Sequence, residues 1–228
     1  MADQFSLTVE QIELNFTTFI EYANDLFTNR RDSLMVMYED LEIKLATAPS
    51  SGTEYYHNAF PGGYMDHTLR VYEFALSLYN TWQELGLVVD NFTTEELAFV
   101  ALHHDIGKVG FPGESNDRYI ANQNDYSRDR GTLYEINPDT PNAQVTDLSL
   151  YLLQRYGIRL SWNEYHGIRI HDGLYEYGNK SYFITYDHKS RLRTSLPVIV
   201  HHADLMATQF EYERWAKSTG RVLKNYEG

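Results

Sequence analysis

The stretch Leu97-Ala98-Phe99-Val100-Ala101-Leu102-His103-His104-Asp105-Ile106-Gly107-Lys108-Val109-Gly110 constrains the chain more than any other. It reads as a helix that is apolar all round, which belongs in a core, and it ends in two imidazoles and a carboxylate. Leaving such groups buried and unsatisfied costs roughly 2–7 kcal/mol, so they must be paired or must bind a metal. Whatever else the chain builds has to deliver partners to this point.

The rest of the pattern is helical. Ile12, Phe16, Phe19, Ile20, Ala23, Leu26 and Phe27 predict a helix over 7–29, with Ser6 or Thr8 as its cap. Leu34, Met37, Tyr38, Leu41 and Leu45 predict a second from Ser33 until Ala48-Pro49-Ser50-Ser51-Gly52 stops it, and the two are expected to form a hairpin on the core. After the turn-rich run Tyr55 to Gly63, a third helix places His67, Val71, Phe74 and Leu78 on one stripe and ends at Gly86. Thr93 and Glu96 form a capping box that opens the helix of the constraining stretch.

Residues 111–144 change to Gly, Pro, Asn, Asp and Arg, with one alternating piece over 131–136. A loop of that length inside a domain points to a lid over a site, carrying a short hairpin. Further helices are expected from Thr146 to Gly157 and from Ser161 toward His171, a hairpin arm around Tyr182 to Tyr186, and a last helix over 196–217 with Pro197 in its first turn. The expected fold is an all-α bundle in one domain. Residues 1–48 form its helical hairpin, 57–217 its core, and 111–144 a lid-like insertion, with one or two short β-hairpins.

Composition narrows the chemistry. There is no cysteine among the 228 residues, so any metal must be held by His nitrogen and carboxylate oxygen, which leaves Mn, Fe, Co, Ni, Zn or Mg. A formal charge of -13 opposes a long polynucleotide or an anionic membrane as partner. No run approaches the ~18 apolar residues of a membrane span. The opening Met-Ala-Asp-Gln-Phe-Ser lacks the features of a secretion signal, and a cytoplasmic protein is expected.

Taken singly, each histidine reads as an ordinary core or surface residue, and His57 and His188 in loops are assigned that role outright. Jointly they say more. Separate helical segments bring His67, His104 with Asp105, His166 or His171, and His201 to Asp204 to boundaries beside apolar residues. Neutral imidazoles and carboxylates from several helices are what an open N/O metal site in a bundle requires.

His67, His104-Asp105 and Asp204 follow the H…HD…D order of the HD-domain metal-dependent phosphohydrolases, and the chain resembles that family over roughly residues 57–210. Pro61-Gly62-Gly63-Tyr64-Met65-Asp66-His67-Thr68-Leu69 is similar to the segment that carries the first ligand in many members, and His104-Asp105-Ile106-Gly107-Lys108 to the family's most recognisable string. The resemblance implies those four residues around one metal ion. It also implies, as in dinuclear members, His171 and His166 as candidates for a second ion, although Asp172 stands where such members often carry a second His.

The activity implied is hydrolysis of a phosphate ester of a nucleotide or similar small anionic metabolite, with Asp105, Lys108 and His171 as the catalytic groups. Lys108, Arg70, Arg128 and Arg130 are the candidate phosphate binders, with Arg118 a further cation of the lid. A di-iron oxygenase, which needs the full second-metal set, and a 3′-to-5′ exonuclease are the alternatives that the same resemblance implies. Oligomeric state is open.

Overall fold

The computed structural model describes residues 6–86 and 91–220. The first five residues, part of the stretch read as lacking a secretion signal, lie outside that set. The fold is all-α with one short hairpin. Its helices are α1 (Val9–Leu26), α2 (Arg31–Asp40), α3 (Glu42–Thr47), α4 (Gly63–Glu84), α5 (Thr94–His103), α6 (Asp125–Asp129), α7 (Val145–Arg155), α8 (Trp162–Arg169), α9 (Lys180–Phe183) and α10 (Leu196–Ser218). No helix among the described residues is long and apolar enough to cross a membrane.

The two longest helices, α4 and α10, pack along each other, and α5 lies against α4 and α8. This places the apolar run Leu97 to Leu102 in the centre of the core, with Phe27, Met37, Val71, Leu152 and Ile199 in the same cluster. Thr93, with Glu96, and Ser161, with Glu164, close capping boxes at the starts of α5 and α8, and Thr8, with Gln11, does so for α1. Each box satisfies amides that a helix start leaves without partners.

Two expectations need correction. The second N-terminal pattern is not one helix, because the backbone leaves α geometry at Leu41 and restarts as α3, which carries Leu45 onto the core. Residues 175–194 form no hairpin arm; short 3-10 turns and α9 carry them, and Asn179 is buried under this run. Alternating aromatic residues over so few positions do not distinguish a strand from a helical turn.

The insertion over 111–144 is folded and fastened. Strands β1 (Tyr119–Ala121) and β2 (Tyr134–Ile136) pair antiparallel, with α6 between them. Gly52 O accepts from Leu133 N at 2.9 Å and Tyr134 N at 3.0 Å, and Lys44 holds Asp117 at 2.7 Å. The insertion is thus a wall sewn to the loop before α4, and Tyr119 of β1 bears on the Lys108 ammonium.

Candidate metal centre

The end of α5 supplies the first pair. His104 caps the helix and its Nδ1–H donates to Ala101 O at 2.9 Å, so Nε2 carries the lone pair. That Nε2 is sealed from solvent and has no hydrogen-bond partner. Asp105 follows at the start of a 3-10 turn, with Oδ2 3.5 Å from His104 Nε2. The turn is clamped by α7: Gly107 N–H donates to Ser149 Oγ, which lies 2.9 Å from His104 O. A Cβ at Gly107 would sit 2.5 Å from Val145 O, so only glycine lets α7 approach this closely.

His171 arrives from the far side. Beyond α8 its Nδ1–H donates to Ile168 O at 2.9 Å, and its Nε2 is 3.4 Å from Asp105 Oδ1. His201 on α10 fixes this turn by donating from Nδ1 to His171 O at 2.7 Å.

His67 enters from the start of the second turn of α4. Its Nδ1–H faces the Glu211 carboxylate at 3.1 and 3.2 Å, while Nε2 lies 3.0 Å from Asp204 Oδ1 without the alignment of a hydrogen bond. With Nδ1–H given to Glu211, Nε2 and Asp204 would confront each other as two acceptors unless a cation or a proton stands between them. The tight turn before α4 makes this entry possible, because a Cβ at Gly63 would fall 2.0 Å from Asn58 O.

Two overlapping triads result, His67, His104 and Asp204 on one side and His104, Asp105 and His171 on the other, each with its donor atoms within 4.8 Å of one another. In all three imidazoles Nδ1 is tied to a carbonyl or carboxylate and Nε2 is turned to the centre. Holding the outer ring nitrogen in this way is how proteins orient histidine metal ligands. Donor types, tautomers and orphaned nitrogens fit a divalent ion bound by nitrogen and oxygen.

Charge is balanced tightly. Burial works to lower the His67 pKa, but Glu211 and Asp204 outweigh it and raise it to about 10. Burial opposes Asp105 as well, yet Lys108, His104 and His171 keep its carboxyl well below the usual carboxylate range. His171, likewise opposed by burial, is raised by Asp105 to about 9. Asp204, disfavoured by burial but facing His67 at 3.0 Å, is lowered.

The remaining expected site residues divide. Lys108 reaches the centre, its Nζ 2.6 Å from Asp105 Oδ2. Arg70 does not face it as a free cation; it binds Glu211 at 2.6 Å and Asp66 at 2.9 Å, behind His67. Arg118 is buried on the carbonyls of Pro141 and Ala143, where it holds the insertion together. Arg128 pairs with Asp125, and Arg130 donates to the Tyr126 hydroxyl, so these two decorate α6. His166 stacks on exposed Trp162 and is outside both triads.

Two residues were passed over. Glu211 continues the buried stripe Ala203 and Ala207 on α10, and an acid on that stripe was its sequence signal. His57, read as an ordinary loop residue, packs its ring 4.9 Å from that of His67. Compared with known proteins, the chain matches no family model, no curated protein and no solved structure.

Proposed function

We propose that the protein is a metal-dependent phosphohydrolase of the HD type acting on a small phosphate ester, with His67, His104, Asp105 and Asp204 as ligands of a divalent transition ion. The observation that carries this reading is the common device at three imidazoles, with Nδ1 tied outward and Nε2 converging on two carboxylates. A core histidine needs no such convergence. The chemistry that an ion supplies in such a set is polarisation of a phosphoryl oxygen and a lowered pKa for water.

The chain's own groups do the rest. Lys108, kept protonated by Asp105 against its burial, is a fixed cation for the charge that develops on phosphoryl oxygens. Glu211, itself gripped by Arg70, holds His67 in one orientation. Burial of His67, His104 and His171 sets the centre among protein atoms of low dielectric, which strengthens every charge interaction there.

One observation supports a two-ion variant. Asp105 presents Oδ1 toward His171 and Oδ2 toward His104, as a bridging carboxylate would. Only metal stoichiometry separates this from the one-ion site, and a di-iron oxygenase would need the second ion.

The test is a screen of purified protein against nucleoside mono-, di- and triphosphates with Mn, Mg, Fe, Co and Ni, reading phosphate release and bound metal together. Hydrolysis that needs the metal, and that Asp105→Ala abolishes together with metal uptake, is expected. Unchanged metal content and turnover in Asp105→Ala would overturn the assignment.

A further inference from the structure

Between α7 and the folded insertion lies a cleft of about 700 Å³ that shares no lining residue with either triad. Its size falls within the range of roughly 300–1,000 Å³ that small-molecule sites occupy. The apolar lining comes from three segments: Leu148 and Tyr151 of α7, Phe111 and Pro112 after the Asp105 turn, and Pro141 and Ala143 at the end of the insertion. Phe111 and Tyr151 meet edge to face, with 5.9 Å between ring centres.

These walls are fixed before any ligand arrives. Phe111 N–H donates to Asn116 O at 2.8 Å, and only glycine at position 110 permits that fold-back, since a Cβ there would fall 2.1 Å from the same oxygen. Leu148 is seated as firmly, its Cβ only 2.7 Å from where a Cβ of Gly107 would stand. A preformed concavity costs a ligand little ordering.

Charge says what kind of ligand fits. Behind Pro141 and Ala143 the buried Arg118 guanidinium donates to their two carbonyls at 3.1 Å, and its Nε has no partner. Neutral carbonyls leave that charge uncancelled. Arg155 stands in the lining itself and is bonded to the neutral Tyr156 hydroxyl, whose own proton goes to Asp40. The acid of the lining, Asp147, is engaged by Arg169 at 3.5 Å, and the Asn116 amide by Pro112 O at 2.8 Å. In a chain of formal charge -13, the cleft is thus a place where positive charge is in excess beside aromatic and proline rings.

We propose that this cleft binds a small aromatic anion, with its ring system against Phe111, Tyr151 and Pro141 and its acidic group on Arg155, in the field of the buried Arg118. The site stands whether or not the metal centre hydrolyses phosphate.

The probe is anilinonaphthalene sulfonate, followed by its fluorescence in titrations of the native full-length protein. Phenylnaphthylamine, which keeps the rings and lacks the sulfonate, serves as its neutral counterpart. One saturable sulfonate site per chain is expected, with the neutral probe about 10-fold or more weaker, because a charge-assisted contact is missing. Arg155→Ala, made on the exposed side of α7, should weaken the sulfonate by a similar factor and leave the neutral probe within about threefold of wild type. Ala143→Trp, which fills the cleft while its backbone carbonyl still holds Arg118, should abolish binding of both probes without lowering the unfolding midpoint. No saturable site, equal affinity for the two probes, or wild-type sulfonate affinity in either variant would overturn the assignment.

Discussion

On the core side of the α5 terminus, His103 is closed into hydrocarbon. Its Nδ1–H donates to Phe99 O at 2.7 Å, its Nε2 accepts from the Tyr38 hydroxyl at 2.6 Å, and its ring stacks on Phe99. On the other side, His104 uses the same backbone device, Nδ1–H to a carbonyl one turn back, yet its equally buried Nε2 meets no proton donor. Residue type, burial and helix are shared. Only the group opposite Nε2 differs, a hydroxyl in one case and converging carboxylates in the other. What sets His104 apart as a candidate ligand is therefore the unspent lone pair, and neither a histidine nor its burial is sufficient.

The sharpest way to break this contrast is to truncate each ring in turn. His104→Ala should weaken metal binding by more than the ~10–100-fold that loss of an outer partner brings, with a smaller loss of metal-free stability than at His103, because its Nε2 gives up no hydrogen bond. His103→Ala should do the reverse: an aromatic-sized cavity lowers unfolding stability by about 3–5 kcal/mol while metal content is retained. Denaturant titration and elemental analysis of the two variants read both effects. Metal loss in His103→Ala alone would invert the assignment.

A smaller effect is expected at Glu211, which touches the centre only through His67. Glu211→Gln keeps an acceptor for Nδ1–H but removes the charge, and about 10–100-fold weaker metal binding should follow in competition with a chelator. Unchanged affinity would mean that Glu211 merely anchors Arg70, and that His67 needs no orientation.

Much of this arrangement was legible in the sequence. The helices announced themselves through apolar spacing and capping boxes at Thr93 and Ser161, and the candidate ligands His67, His104, Asp105 and Asp204 were singled out, although His67 and Asp204 lie inside α4 and α10 and not at their boundaries. What stayed hidden depends on tertiary approach. Nothing local to His57 signals that its loop folds back against His67, because the close turn at Gly63 sets that approach. Arg118 and Arg70 look like free cations until the carbonyls and carboxylates that consume them arrive from distant segments. His166 and His171 sit five positions apart with similar neighbours, and only the end of α8 at Arg169 turns one outward and the other in.

Titration separates the two sides of α5 once more, with the smallest effect. Burial lowers the His103 pKa to about 3, so between that value and the unfolded ~6.5 the unfolded chain binds a proton that the native state refuses. Stability is then fully present above ~6.5 and falls as pH drops below it, by up to about 1.4 kcal/mol per pH unit. His67 has the opposite sign: raised to about 10 by Glu211 and Asp204 against its burial, it contributes stability present below ~6.5 and lost as pH rises through about 10. Chelator-treated protein should lose stability on both limbs. Replacing Tyr38 and His103 together by Phe removes both polar partners at once and should flatten the acid limb by about one proton while leaving the alkaline one. His57 and His166, both lowered chiefly by burial, keep some acid dependence in that variant. Saturating metal should remove the alkaline limb, because an ion at His67 Nε2 takes the place of the proton whose loss drives it, and should steepen the acid limb, where protons compete with the ion for its ligands. An acid limb that metal abolishes would place the ion beside His103, and the division of the helix end into a closed side and an open side would fail.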